Sequence, residues 1–255
     1  MAVKFFVRFN LHNSLCSDPL SVEALRPHLN MSDGDIRSML CEIDEIQGSR
    51  AERLRKKCPE QTEALRGKKV VFLGDSITSD NLGYREAVTR AAALEAIDGS
   101  VSGGTSSMIL HTAKMLIEQH GPDIVSVMLG SNDSVMIEGA DLAQVSPEEY
   151  GRNLACIVRW AKQNGACVLL FEIPPVVEER FEKNFSSQSK AQTNANVRAY
   201  NEILKKIAEE NDIELRSNLW LSEDAGYFEP DGIHLSICGQ ERFAEKWLLS
   251  AVQTI

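Results

Sequence analysis

The sequence predicts an α/β fold of three layers over residues 67–255, with helices covering both faces of a parallel sheet. From residue 67 onward, short runs that are apolar throughout alternate with helical patterns. Strands apolar on both sides belong to sheets covered on both faces. The runs are punctuated by Gly74, Gly121-Pro122, Gly165 and Pro174-Pro175. The composition, 43% hydrophobic and 25% charged in 255 residues, suits a chain that buries a sizeable core.

The elements follow in order. Residues 68–73 are a strand ending at Gly74. Residues 82–96 hold Tyr84, Ala87, Ala91 and Leu94 at helical spacing, and a short strand follows near 94–97. Ile109, Ala113, Leu116 and Ile117 mark a helix over 106–119. Residues 123–129 form another strand. Ser146 as N-cap with Pro147 in the first helical position opens a helix buried through Tyr150, Leu154, Ile157, Val158 and Ala161. Residues 166–173 form a strand, 191–210 a helix and 213–219 the fifth strand. The last helix, 237–252, buries Phe243, Ala244, Trp247, Leu248 and Ala251.

Residues 1–66 read as a small, mostly helical N-terminal appendage. Val3, Phe5, Val7 and Phe9 alternate, which predicts a strand. Ser32 to Asp35 resembles a capping box, and Ile36, Met39, Leu40 and Ile43 form a helical stripe. That stripe needs a host, either residues 67–255 or another subunit, so a homo-oligomer formed through this segment is one expectation. The segment is expected to add mainly stability or an interface rather than catalytic residues, with none of its side chains completing the site. Arg50, Arg53, Arg55, Lys56 and Lys57 read as a solvated helix face.

The formal charge is −10, from 27 basic and 37 acidic residues. Residues 1–66 hold 10 of each, so the excess lies in 67–255. Such a surface repels phosphate backbones and anionic lipid, which argues against nucleic-acid and membrane partners. No apolar run is long enough for a transmembrane helix. Lys4 and Arg8 interrupt the first apolar residues, unlike a secretory signal. Cysteines 16, 41, 58, 156, 167 and 238 form no C-x-x-C pair and read as free thiols in a reducing cytoplasm. No H-E-x-x-H occurs, so no zinc site is expected.

Chemistry gathers at the strand ends, where α/β sheets place their sites. The first strand runs into Gly74-Asp75-Ser76, where a serine on a sharp turn is exposed as a nucleophile; alone, this is also a common turn. Ser100-Val-Ser-Gly103-Gly104-Thr105 supplies glycines that let a backbone N–H point into a site. Gly130-Ser-Asn132-Asp133 ends another strand, with Asn132 either an oxyanion donor or a helix cap. Asp231 stands three residues before His234, close enough to hold the imidazole in one tautomer.

The conjunction, in the order Ser, Gly, Asn, Asp and His over residues 67–255, resembles the SGNH hydrolase family, the GDSL-type esterases and lipases. The resemblance implies a flavodoxin-like sheet of five parallel strands with 67–255 as catalytic domain. It implies Ser76 as nucleophile, Asp231 and His234 as its triad partners, and an oxyanion hole of Ser76, Gly103 and Asn132. Gly104 offers a second register for the glycine donor. It implies a serine esterase without cofactor or metal, working through an acyl-enzyme on a small-molecule or carbohydrate ester, with a short acyl group such as acetyl expected first. An acyltransferase using the same triad and a non-catalytic binding module are the alternatives. A flavodoxin-type cofactor binder is disfavoured because residues 74–81 lack a phosphate-cradling run. Residues 134–145 and 178–192 are expected to shape the pocket as loops at strand ends.

Overall fold

The computed structural model describes residues 7–9 and 20–255. The N-terminal part carries helices α1 (Val22–Leu25), α2 (Asp33–Lys57) and α3 (Pro59–Ala64). Then follow β1 (Lys69–Gly74), α4 (Ser76–Ser79), α5 (Tyr84–Ala92), β2 (Glu95–Asp98), α6 (Ser106–His120) and β3 (Ile124–Met128). After β3 come β4 (Met136–Ile137), β5 (Leu142–Ala143), α7 (Pro147–Gln163), β6 (Cys167–Phe171) and α8 (Glu178–Phe185). The chain closes with β7 (Lys190–Ala191), α9 (Asn194–Glu210), β8 (Leu215–Arg216) and α10 (Ile237–Thr254).

The main sheet has five parallel strands in the order β2-β1-β3-β6-β8. Both faces are apolar, and β1 shows why. Val70 and Phe72 point to the side covered by α5 and α10, where Val88, Phe243 and Trp247 are buried. Val71 and Leu73 point to the side of α6, α7 and α9, with Ile109, Leu154 and Leu204. The chain leaves β1 toward β2 on one side and returns to β3 on the other. This reversal opens a crevice at the carboxyl ends of β1 and β3, the position where such sheets bind ligands.

Three local readings change. Val7 and Arg8 have helical geometry, so the alternation over 3–9 does not mark a strand there; residues 3–6 lie outside the described residues. The fifth strand shrinks to Leu215–Arg216, and Leu219, which sits in a 3₁₀ turn, is exposed. The two expected loops carry structure: β4 pairs antiparallel with β5 and with β7, so residues 134–145 and 178–192 meet in a small sheet.

Helix α2 starts as its sequence predicts, with Ser32 Oγ accepting from Asp35 N at 3.2 Å. Ile36 and Met39 are buried with Val7, Val22 and Leu25, and Leu40 and Ile43 pack at the edge of that cluster. The second half of α2 sends Ala51 and Leu54 into the cluster beneath α5 and α10. The basic run keeps its exposed face at Arg53, Arg55, Lys56 and Lys57, and only Arg50 departs from it. Arg50 is fully buried, Arg53 pairs with Glu241 at 2.7 Å and Lys57 with Glu245 at 2.5 Å. Among the described residues no helix is long and apolar enough to cross a membrane. Cys41, Cys58, Cys156, Cys167 and Cys238 are free thiols; Cys16 lies outside the described residues.

Candidate active site

The site begins where β1 ends. A Cβ on Gly74 would stand 2.1 Å from Thr78 Oγ1, so only glycine lets the chain fold straight into α4. Asp75 caps that helix, accepting from Ile77 N at 2.9 Å, and Ser76 takes the first helical position. Burial pushes the Asp75 carboxyl up to about 6 against the Ile77 hydrogen bond and the nearby His234. Ser76 N–H, at the helix start, has no acceptor among the described residues.

Ser76 Oγ lies 2.8 Å from His234 Nε2, and His234 Nδ1 lies 2.7 Å from Asp231 Oδ2. An ionised carboxylate only accepts, so Nδ1 donates to Asp231 and Nε2 presents its lone pair to the serine hydroxyl. Asp231 Oδ1 also accepts from the backbone N–H of Ile233 and His234, each at 3.0 Å. Burial pulls the Asp231 carboxyl upward, but the His234 hydrogen bond and these backbone donors outweigh burial and hold it below the ordinary carboxylate range.

The residues after β2 lie against the end of β1, through Gly99 N to Phe72 O at 2.8 Å and Val101 N to Gly74 O at 3.0 Å. Gly103 has φ +72° and is exposed, and its N–H meets no acceptor among the described residues. Gly104 is buried, and its N–H donates to Val101 O at 2.8 Å. A bonded N–H cannot also serve a substrate, so the two glycines are inequivalent in favour of Gly103.

Asn132 stands after β3. Its Nδ2 donates to Gly104 O at 3.0 Å, tying it to the glycine turn rather than capping a helix. Asp133 is buried and accepts from Ser106 N through both carboxylate oxygens at 3.0 Å, fixing the Asn132 turn to the start of α6. Burial raises the Asp133 carboxyl. Gln192 Nε2 donates to Ser134 Oγ at 2.7 Å and Ser131 O at 3.2 Å, bracing the same turn from the 178–192 stretch.

Ser76, Asp231 and His234 are thus brought together in hydrogen-bond line, and Asn132 is tied to the glycine turn through Gly104 O. Sequence reasoning missed Asp133 and Gln192 as supports. Asp133 stood in the same four-residue motif, whereas Gln192 carried no local signal. It also missed Phe9, whose ring centroid lies 4.1 Å from that of His234.

A five-stranded parallel sheet with a Ser-His-Asp line at its strand ends has the architecture of the SGNH hydrolases. Residues 72–242 match the GDSL-like Lipase/Acylhydrolase family, and the chain belongs to it. An arylesterase of Vibrio mimicus is 30% identical over 132 residues, which are 46% of this chain and 61% of that relative. The chain therefore spans less than two thirds of that relative's length. Among solved structures, TesA superposes with a TM-score of 0.58 at 23% identity, over 74% of this chain and 100% of its own. A lipase/acylhydrolase from Enterococcus faecalis gives 0.61 at 16%, over 73% and 96%. The acetyl xylan esterase AlAXEase gives 0.57 at 21%, over 72% and 99%. At these identities the likeness speaks for the fold.

Proposed function

We propose that this protein is a serine esterase that hydrolyses a small-molecule ester through an acyl-enzyme on Ser76. The observation that carries the reading is the line Ser76–His234–Asp231, with contacts of 2.8 and 2.7 Å, at the crevice of the sheet. His234 Nε2 takes the Ser76 proton as Oγ attacks the ester carbonyl, and Asp231 stabilises the imidazolium that forms. Charge on the carbonyl oxygen is met by the N–H groups of Ser76 and Gly103 and by an amide proton of Asn132. His234 then protonates the leaving alcohol. Water, deprotonated by the same imidazole, releases the acid and restores Ser76.

The name of the Vibrio mimicus relative, arylesterase, favours the same reaction class. The family resemblance points to a short acyl group, with acetylated carbohydrate as the first substrate class. In this reading residues 67–255 are the catalytic domain and 1–66 a separate N-terminal segment. The free thiols fit a cytoplasmic setting. The net charge of −10 argues against nucleic acid or anionic membrane as partner.

The test is hydrolysis of p-nitrophenyl esters of increasing acyl length by the wild type and Ser76→Ala. The wild type should turn over acetate and butyrate faster than long chains. The variant should fold normally and lose about 10⁴- to 10⁶-fold in kcat. A folded Ser76→Ala protein of full activity would overturn the reading.

A further inference from the structure

We propose that Phe9, brought in by the N-terminal segment, is a positioning residue for His234, holding the imidazole in the plane that serves both Ser76 and Asp231. The inference rests on the esterase reading above. Phe9 is completely buried, and its ring lies against the His234 ring at a centroid distance of 4.1 Å and an interplanar angle of 38°.

The imidazole needs such a face. Hydrogen bonds at Nδ1 and Nε2 fix the two ring nitrogens but leave the ring free to tilt about the line between them. A tilt swings the Nε2 lone pair away from Ser76 Oγ, and hydrogen bonds weaken steeply with misalignment. A rigid ring packed on the imidazole restrains that motion without taking either nitrogen.

Phe9 can act as a stop because the segment is anchored on both sides of the reacting pair. Asn81 N donates to Arg8 O at 2.7 Å and Asn81 Nδ2 to Val7 O at 2.8 Å. Arg8 Nε donates to both oxygens of the buried Asp80 at 2.9 Å. Its other nitrogens reach Leu235 O, at 2.6 Å, and Glu229. Asp80 and Asn81 directly follow α4, the helix that begins with Ser76, and Leu235 directly follows His234. Arg8 therefore joins the two stretches that must keep Ser76 and His234 in register. Its guanidinium also stands 4.9 Å from the centre of the Phe9 ring.

The experiment uses the full-length protein as wild type, Phe9→Ala, Phe9→Leu and Val7→Ala. It reads the second-order rate of fluorophosphonate labelling, kcat and KM on p-nitrophenyl acetate, Tm, and the downfield proton signal of the His234–Asp231 hydrogen bond. Phe9→Ala should lower kcat and labelling rate about 10- to 100-fold at little changed KM, the scale of a misplaced reacting group. Its downfield signal should broaden or vanish. Phe9→Leu, which keeps buried apolar volume, should fold and recover part of both rates. Val7→Ala should lose Tm yet label like the wild type. If Phe9→Leu and any folded Phe9→Ala label at the wild-type rate, the inference is overturned; equal slowing by Val7→Ala would overturn it too. A wild type that is not labelled at Ser76 would instead overturn the esterase reading itself.

Discussion

Asn132 has two amide protons, and the structure commits one of them to Gly104 O at 3.0 Å. The bond ties the amide to the glycine turn, and in the proposed mechanism the second proton serves the ester carbonyl oxygen. An interaction that strengthens only as charge develops on the carbonyl oxygen acts on the transition state more than on bound ester. Asn132→Ala should therefore lower kcat about 10²- to 10³-fold with little change in KM. Steady-state kinetics on a p-nitrophenyl ester checks this, and a rise in KM alone would make Asn132 a substrate-binding residue. At this scale Ser76, Asn132, Asp231 and His234 were legible because each sits in a short motif at a strand end. Between Gly103 and Gly104 the motif could not choose. The proposed mechanism takes Gly103 because the Gly104 N–H already donates to Val101 O, a tertiary fact. Phe9 was illegible for a similar reason: nothing in residues 3–9 signals that one ring will meet a histidine 225 positions later.

Among the elements, the short helix α4 concentrates the electrostatics of the site. Its cap Asp75 is buried with a carboxyl pushed up to about 6, so the folded state holds that proton more tightly than the unfolded chain does. The stability linked to it is complete below about pH 4, the ordinary carboxylate range, and is lost as pH rises through about 6. The loss amounts to about 3 kcal/mol. Asp75→Asn keeps an oxygen for Ile77 N but removes the titration. Thermal melts from pH 4.5 to 7.5 should show the variant gaining on the wild type as pH rises, and parallel curves would contradict the account. The main-sheet strands were legible because β1, β3 and β6 are apolar on both faces. The strand over 213–219 was overdrawn because an apolar pattern does not reveal where pairing stops, here after Arg216. The small sheet of β4, β5 and β7 escaped because two-residue strands leave no period to read.

For the whole molecule, the balanced N-terminal segment sits on an acidic body, and charge guides the seam. Arg8 meets Asp80 and Glu229, Arg53 meets Glu241, Lys57 meets Glu245, and Arg90 returns the favour to Asp44. The exposed pairs contribute little each, about 0–1 kcal/mol. Ala51 and Leu54, buried beneath α5 and α10, supply the apolar contact. The exposed face of the basic run over 50–57 was legible from sequence, but the burial of Arg50 and the partners of Arg53 and Lys57, nearly 190 residues away, were not, because local spacing cannot show a partner surface. The assembled molecule places one serine against one imidazole at a crevice of the sheet, and the central claim is that this serine carries the acyl group. Mapping the fluorophosphonate adduct by peptide mass on the full-length protein tests it most directly. The account predicts a single adduct on Ser76, absent in Ser76→Ala and formed far more slowly in His234→Ala. An adduct on any other serine, or ester hydrolysis that persists with Ser76 blocked, would contradict it.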